Sequence, residues 1–385
     1  MNGRLIYLDN AATSFPKPRA ALDRMVDIYV RLGVSPGRGG YDLSVEASRY
    51  VAAVRQQLAD FFGAPDPDRV VFAANATDAL NLAIQGMVEP GDHVIATRLE
   101  HNSVLRPLTH LRDRGWIEYD LIPFDERGLV DPADVVGAIR HNTKLVVICH
   151  ASQVLGTVQP VAAIAAACAE CGVPLLVDAA QSAGHVPVRL ADWGVSVIAF
   201  TGHKALLGPS GIGGLVVSPT VSVTPTRFGG TGVDSASLVH TPSFPHRLEA
   251  GTSNLLGIIG LSEGLACLQS EGMEQAHRRQ MALIRHLREG LAGLPGVTVY
   301  SPPPREEDVP ILTCNVGEVA PADVGAILDA DYGIAVRTGL HCAPLVHQDR
   351  GTGQQGSVRF SLGHTTTEAD IEAALRAMAA IAGAA

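Results

Sequence analysis

The chain has 385 residues, 46% of them apolar and 18% charged, which is enough apolar material for a sizeable core and excludes a disordered or fibrous protein. Its formal net charge is -10 and no run rich in Lys or Arg stands out, which argues against nucleic acid or an anionic membrane as the main partner. The first residues lack the apolar core of a signal peptide, and Gly, Pro or charge interrupts the apolar stretches elsewhere, so we expect a cytoplasmic protein that spans no membrane.

Helical patterns alternate with short runs rich in Val and Ile from about residue 44 to 217. The clearest runs cover residues 70–73, 93–97, 145–150, 174–178 and 195–200. This alternation predicts an α/β fold with a mostly parallel central sheet flanked by helices. Several runs are apolar on both faces, as is typical of strands covered on both sides, and ligands of such sheets bind beyond the carboxyl ends of the strands.

The pattern changes near residue 255. Two long helical stretches follow, then a loop rich in Pro and charge (301–310), and then shorter strand and helix candidates. We therefore expect a smaller α+β C-terminal domain over residues 256–385 and a large domain over 16–255. An N-terminal segment, 1–15, is expected to pack near the active site.

Two charged residues directly follow predicted strands. Asp178 ends the run Pro-Leu-Leu-Val-Asp, and Lys204 comes just after the run 195–200. Taken alone, Asp178 could cap a helix and Lys204 could be a solvated surface lysine. Together, an acid and a lysine at the mouths of neighbouring strands meet the needs of pyridoxal-5'-phosphate (PLP) chemistry, in which the lysine forms an imine with the cofactor and the acid keeps the pyridine nitrogen protonated.

Further motifs lie in a fixed order along nearly the whole chain. They are Tyr7-Leu-Asp-Asn10-Ala-Ala-Thr13, Asn75-Ala-Thr77-Asp-Ala-Leu-Asn, Leu99-Glu-His101-Asn, Ser152-Gln153-Val-Leu-Gly, Asp178-Ala-Ala-Gln181-Ser, Thr201-Gly-His203-Lys204, Arg337-Thr-Gly-Leu-His341-Cys342-Ala and Ser357-Val-Arg359-Phe-Ser. In this order and spacing they resemble the class V aminotransferases, specifically the cysteine desulfurases and the closely related selenocysteine lyases. The resemblance implies the PLP-dependent transferase fold of type I.

The resemblance also implies roles for residues around the cofactor. Lys204 would hold PLP as a Schiff base, Asp178 would pair with the pyridine nitrogen, and Gln181 would donate a hydrogen bond to the phenolic oxygen. His101 would stack on the pyridine face and move protons, with a buried, hydrogen-bonded histidine as the alternative. Gln153, expected near the phenolic oxygen, stands where the better-known desulfurases usually carry asparagine.

A second group of residues is expected to hold the cofactor's phosphate. Thr77 precedes a helical stretch, so its hydroxyl and the amides of the first turn, with Ala76 beside it, can bind an anion; a plain N-cap is the alternative. Thr201 and His203 complete this site by resemblance. Thr252 resembles the family residue that reaches the phosphate from the other subunit, which implies a homodimer with shared active sites.

The substrate's carboxylate needs a fixed cation. Arg359 matches the family's arginine for that role, because a guanidinium fork suits a carboxylate better than lysine does; a surface ion pair is the alternative. By the same resemblance Asn10, Ala11 and Arg337 are expected beside the substrate.

The presence of Cys342 favours a desulfurase over an aminotransferase, because an aminotransferase needs no thiol beside its substrate. Six cysteines are too few for a disulfide framework, and the pair Cys168 and Cys171 has no second pair to complete a zinc site, so no metal is expected. Cys342 opens a segment rich in Gly and Gln, where we expect an exposed, mobile nucleophile. The implied reaction converts L-cysteine to L-alanine, and the persulfide formed on Cys342 passes to an acceptor protein, such as one for iron-sulfur cluster assembly.

Other functions remain open from the sequence. A selenocysteine lyase or a class V transaminase would use the same PLP motifs. A nucleotide-binding module on the glycines of residues 208–214 is disfavoured, because these glycines lead into a strand rather than into a helix N-terminus.

Overall fold

The computed structural model describes residues 4–37, 39–353 and 355–384. The chain begins with a short strand, β1 (Ile6–Tyr7), followed by two helices, α1 (Arg19–Leu32) and α2 (Asp42–Phe62). Helix α2 ends where Gly63 adopts a left-handed conformation, with φ 64°, that favours glycine. The backbone then turns into the central sheet.

The central sheet has seven strands, and its order is neither sequential nor wholly parallel. The strands are β2 (Val70–Ala73), β3 (Asp92–Thr97), β4 (Ile117–Ile122), β5 (Thr143–Cys149), β6 (Leu175–Asp178), β7 (Val197–Thr201) and β8 (Gly213–Val217). They lie in the order β2-β8-β7-β6-β5-β3-β4. Strands β7, β6, β5, β3 and β4 are parallel, which confirms the predicted mostly parallel sheet. Strand β8 is antiparallel to both neighbours, because the short connection from β7 holds no helix to carry the chain back.

Helices on both faces of this sheet bury its two apolar surfaces. They include α3 (Ala76–Met87), α4 (Asn102–Asp113), α5 (Pro132–Gly137), α6 (Val161–Glu170) and α7 (Leu190–Trp193). Successive residues of β5 alternate between the two cores. Val146 and Ile148 pack with residues of α2 and α6, whereas Leu145 and Val147 pack with residues of α3 and α4. Strands apolar on both faces are therefore confirmed.

The rest of the chain forms a smaller antiparallel sheet with its own helices. The elements from residue 255 onward are α8 (Leu255–Glu271), α9 (Met273–Ala292), β9 (Val297–Val299), β10 (Ile311–Val316), α10 (Pro321–Tyr332), β11 (Ile334–Ala335), β12 (Arg337–Gly339), α11 (Pro344–Asp349), β13 (Ser357–Ser361) and α12 (Glu368–Ala384). The order β12-β13-β10-β9 and a separate core confirm the expected smaller α+β unit.

Contacts across the chain join these parts. Strand β1 pairs with β11, so the N-terminal segment lies on the smaller unit. Helix α8 buries Ile258, Leu261 and Leu265 in a core of the central sheet. The domain boundaries at 15/16 and 255/256 stay predictions. Among the described helices, none has the length and apolar character that a membrane crossing requires.

Candidate active site

A pocket lies beyond the carboxyl ends of β6 and β7. Asp178 is the last residue of β6, and Lys204 comes three residues after the end of β7. Both side chains line the pocket. The two strands are neighbours and parallel, with Asp178 opposite Ala199, so their ends meet at one edge of the sheet.

Most of the residues expected at the site line this one pocket. They are Ala11, Ala76, Thr77, His101, Gln153, Asp178, Gln181, Thr201, His203, Lys204, Arg337, Cys342 and Arg359. Asn10 and Thr252 do not line it. The segments that meet here come from every part of the sequence, so the chain's fold, and not the local pattern, brings them together.

Burial sets the ionisation of the two strand-end residues. Asp178 is 7% exposed, and burial raises its pKa, while the N–H of Ala180 and the charge of Lys204 act in the opposite direction. Burial lowers the pKa of Lys204 to about 8, and the charge of Asp178 offsets part of this effect. The carboxyl of Asp178 accepts the Ala180 N–H at 2.9 Å within a turn, so it does not cap a helix.

His101 is the N-cap of α4 and is uncharged at neutral pH. The N–H of Ser103 donates to His101 Nδ1 at 2.9 Å, so the neutral ring carries its proton at Nε2. Burial lowers the pKa of His101 to about 4, with further lowering from the positive charges of Lys204 and Arg337. The hydroxyl of Ser103 lies 2.8 Å from His101 Nδ1 and 2.7 Å from Thr77 Oγ1, which joins α4 to α3.

The first turn of α3 differs from the expectation. The helix begins at Ala76, and Asn75 is its N-cap, with Asn75 Oδ1 accepting the Asp78 N–H at 2.9 Å. Thr77 is therefore inside the first turn, and the alternative of a Thr77 cap is wrong, because the asparagine two residues earlier already satisfies the amide that needs a cap. Ala76 and Thr77 still line the pocket, at the end of the helix that favours an anion.

Two buried polar atoms near the β7 end have no hydrogen-bond partner in the described part of the chain. They are Thr201 Oγ1 and His203 Nδ1. Burial lowers the pKa of His203 to about 4, ahead of the effects of Lys204 and Lys17. The carbonyl of His203 accepts hydrogen bonds from Thr13 Oγ1 at 3.0 Å and from Lys17 Nζ, so the N-terminal segment fastens the turn that carries Lys204.

The two glutamines that line the pocket donate to backbone carbonyls. Gln181 Nε2 donates to the Ala11 carbonyl at 3.0 Å. Gln153 Nε2 lies 3.5 Å from the Leu99 carbonyl, and the Gln153 side chain is buried. Neither bond tests whether the glutamine contacts a ligand, so that role stays a prediction.

Two arginines face each other on neighbouring strands of the smaller sheet. Arg337 on β12 stands directly opposite Arg359 on β13. Arg359 is 2% exposed; it donates to Asp9 Oδ1 at 2.7 Å and to the Gln153 carbonyl at 3.2 Å, and its Nε lacks a partner within the described residues. Like charges in direct opposition destabilise a sheet. The pair therefore suits an anionic ligand that both guanidinium groups can contact.

Cys342 lies in a tight turn rather than at the start of a long mobile loop. His341 and Cys342 both have positive φ, 48° and 59°, and α11 begins two residues later. The N–H of Asn102 donates to the Cys342 carbonyl at 2.8 Å, and Arg337 Nη2 lies 3.7 Å from the Cys342 sulfur. The expectation of an open loop after Cys342 is corrected, because the Pro-Leu-Val-His segment forms a helix.

Asn10 and Thr252 lie elsewhere. The amide of Asn10 donates to the Ser361 carbonyl at 3.1 Å, and its oxygen accepts the Phe15 N–H at 3.3 Å, so this side chain holds the N-terminal segment. Thr252 lines a separate pocket beside the ion pair of Arg55 and Glu249. Within one chain, neither residue reaches the Lys204 pocket.

Several residues in or beside the pocket were given no role in the sequence analysis. Ser103 joins His101 to Thr77, and His341 supports the Cys342 turn through its Nε2, 3.1 Å from the Ser357 carbonyl. No sequence pattern could have revealed Ser103, because its partner His101 is not of a residue type preferred at an N-cap. Glu100 is fully buried, and although the motif at residues 99–102 contains it, the sequence analysis gave it no role.

Comparison with known proteins agrees with this geometry. The model of the family described as "Aminotransferase class-V" matches residues 6–374. A protein of Pectobacterium atrosepticum named cysteine desulfurase is 34% identical over 97% of this chain and 92% of its own length. The apo structure of a cysteine desulfurase from Thermococcus onnurineus NA1 superposes with a TM-score of 0.93 at 32% identity, covering 99% of this chain and 95% of that one. The cysteine desulfurase CsdA of Escherichia coli gives 0.87 at 27% identity, covering 97% and 93%.

These matches confirm the resemblance that the motifs indicated, and they extend over almost the whole chain. The fold is the one that its cysteine desulfurase neighbours share. The chain therefore belongs to the class-V aminotransferase family of enzymes.

Proposed function

We propose that this chain is a PLP-dependent cysteine desulfurase that converts L-cysteine to L-alanine and keeps the sulfur as a persulfide on Cys342. The observation that carries the proposal is a thiol, Cys342, in the same pocket as the strand-end pair Asp178 and Lys204. An aminotransferase has no use for a nucleophilic thiol at that position. Relatives at 34% identity that are named cysteine desulfurase support the same conclusion.

The residues present fit PLP. The buried amine of Lys204 would hold the aldehyde carbon, and the carboxyl of Asp178 would pair with the pyridine nitrogen. The unpartnered atoms Thr201 Oγ1 and His203 Nδ1, with the first-turn amides of α3, form a donor set suited to a phosphate. When bound, PLP supplies an electron sink that stabilises negative charge at the substrate's α-carbon.

The chain's own residues would carry the protons and the sulfur. Arg337 and Arg359 bind the substrate's carboxylate. Lys204 Nζ, whose pKa near 8 leaves a useful neutral fraction, takes the proton from the α-carbon. We expect His101, with its proton at Nε2, to transfer a proton at the substrate's sulfur.

The sulfur step balances without an oxidant. The Cys342 thiolate forms a bond to the substrate's sulfur while the bond from that sulfur to the β-carbon breaks. The β-carbon keeps the electron pair and takes up a proton, which yields alanine, and Cys342 retains a persulfide. Arg337 Nη2 lies 3.7 Å from the Cys342 sulfur.

We further propose a homodimer in which Thr252 of each subunit completes the phosphate site of the other. Such a dimer would explain why Thr252, which resembles the family residue at the phosphate, lies outside the Lys204 pocket of its own chain. The persulfide must then pass to an acceptor protein, and the six free cysteines suit a reducing, cytoplasmic setting.

The test measures alanine and sulfide produced from L-cysteine. Cys342→Ala should abolish both in the presence of a thiol acceptor, whereas Cys171→Ala, which changes an exposed cysteine, should leave them unchanged. Desulfurase activity that survives Cys342→Ala would overturn the proposal. Loss of activity toward cysteine with retained release of selenide from selenocysteine would indicate a selenocysteine lyase instead.

A further inference from the structure

Glu100 is a carboxyl group buried without an ion-pair partner among the described residues. It is 0% exposed. Its Oε1 accepts two hydrogen bonds, from Thr97 Oγ1 at 2.6 Å and from the Cys149 N–H at 2.9 Å. Its Oε2 has no hydrogen-bond partner within the described part of the chain. A buried carboxylate with one oxygen unsatisfied is costly, so the contacts favour the protonated acid.

The two bonds of Glu100 join the segment before α4 to the ends of β3 and β5. Thr97 is the last residue of β3, and Cys149 is the last residue of β5. The pairing of these two strands has ended at Ile95 and Val146, so the carboxyl of Glu100 continues the connection beyond the ladder. On one side His101 is the next residue in the chain, and on the other Cys149 pairs with Asp178.

We propose that Glu100 acts as a positioning residue that, in its uncharged acid form, fastens the corner between β3 and α4 to the end of β5 and so fixes His101 relative to Asp178. The proposal deepens the proposed function, on which it rests only for the roles of His101 and Asp178. Glu100 itself does not line the pocket.

The groups around Glu100 favour its uncharged form. Burial raises the pKa of Glu100 to about 8; the bonds from Thr97 and Cys149 lower it in part, and the charge of Asp178 raises it further. Cys149, whose N–H Glu100 accepts, carries a buried thiol with a raised pKa, and the adjacent His101 is neutral. An ionised Glu100 would add a second negative charge near Asp178. The neutral acid leaves Asp178 as the anion that faces the pyridine nitrogen.

The sign of the effect on stability follows from the raised pKa. Between pH 4.5, the ordinary pKa of a glutamate, and about 8, the folded chain keeps a proton on Glu100 that the unfolded chain has lost. The contribution of Glu100 to the free energy of unfolding therefore falls as the pH rises through this window.

The first experiment measures thermal unfolding of the full chain, with and without PLP, at pH 5 and pH 8. Glu100→Gln keeps the acceptor at Oε1 and cannot ionise. We expect the melting temperature of the variant, relative to wild type, to rise between pH 5 and pH 8. Glu318→Gln, which changes an exposed glutamate, should show no such dependence. If the melting temperatures of Glu100→Gln and wild type differ by the same amount at both pH values, the proposal that Glu100 is uncharged in the folded chain is overturned. This outcome does not depend on which reaction the enzyme catalyses.

The second experiment tests positioning through kcat/KM for cysteine, PLP affinity and the absorbance of the bound cofactor as a function of pH. Glu100→Ala leaves the Thr97 hydroxyl and the Cys149 N–H unsatisfied, so we expect about a tenfold loss in kcat/KM, weaker PLP binding and a shifted absorbance titration. Glu100→Gln should restore most of each loss.

Variants at Thr97 test the same positioning role even if Glu100→Ala does not fold. Thr97→Val removes the hydroxyl donor at nearly constant volume, whereas Thr97→Ser keeps it, so the valine variant alone should shift the absorbance titration. The positioning role is overturned if Glu100→Ala and Thr97→Val both behave as wild type, or if Glu100→Gln loses as much as Glu100→Ala. Failure of the proposed function would instead appear as wild-type enzyme without PLP binding or alanine production.

Discussion

The edge of the central sheet and the Cys342 turn supply two parts of one pocket, and they are built differently. At the sheet edge, Asp178 and Lys204 follow neighbouring parallel strands, so the strand ends alone bring them together. At the turn, Cys342 has a left-handed conformation, and the N–H of Asn102, far away in the sequence, holds its carbonyl. The side of the pocket with Asp178 and Lys204 thus depends on regular secondary structure, whereas the thiol side depends on contacts between distant segments.

The largest effect should come from the sheet edge. Lys204→Ala removes the amine that we propose to anchor the cofactor and to transfer protons, so we expect loss of cofactor attachment and a fall in kcat/KM of at least about a thousandfold. Absorbance after removal of free PLP, together with alanine production, measures both. Lys144→Ala changes an exposed lysine and is the matched control. Wild-type attachment and turnover in Lys204→Ala would show that the sheet edge is not the anchor.

A smaller effect should come from the arginine pair of the smaller sheet. Arg359→Lys keeps the positive charge but loses the fork that contacts Asp9 and the Gln153 carbonyl. A hydrogen bond to a charged group contributes about 1.5–3 kcal/mol, so kcat/KM should fall about ten- to a hundredfold, mainly through a higher KM. Steady-state kinetics with cysteine measures this, with Arg278→Lys on the exposed face of α9 as control. An unchanged KM would contradict a contact between Arg359 and the substrate's carboxylate.

The smallest effect concerns the conformation of the turn itself. At Cys342 the positive φ of 59° favours glycine, so Cys342→Gly should be more stable than Cys342→Ala by about 1 kcal/mol. Urea unfolding of the two variants measures the difference. At Cys171, where φ is -91°, the same pair of substitutions should not favour glycine. An alanine variant at Cys342 that matches the glycine variant would mean that the turn is not strained.

The predictions from sequence succeeded where a repeating pattern carried the information. The run 70–73 is β2, and the runs ending near Asp178 and Phe200 became β6 and β7, because alternating helices and apolar strands leave few other folds. The prediction was wrong for the start of α3 by two residues, since Asn75 took the capping position before Thr77. The turn at Cys342 and the burial of Glu100 were missed, because each depends on a partner from another strand or helix.

By itself the sequence determined the class of fold, the family and the pairing of an acid with a lysine, since strand periodicity and ordered motifs are properties of the linear chain. Only the tertiary structure decided that Cys342 lies in a left-handed turn, that Arg359 donates to Asp9, and that Glu100 is buried without a counter-charge among the described residues. The physical reason is that burial and hydrogen bonding between distant segments exist only after the sheet and its neighbours have packed.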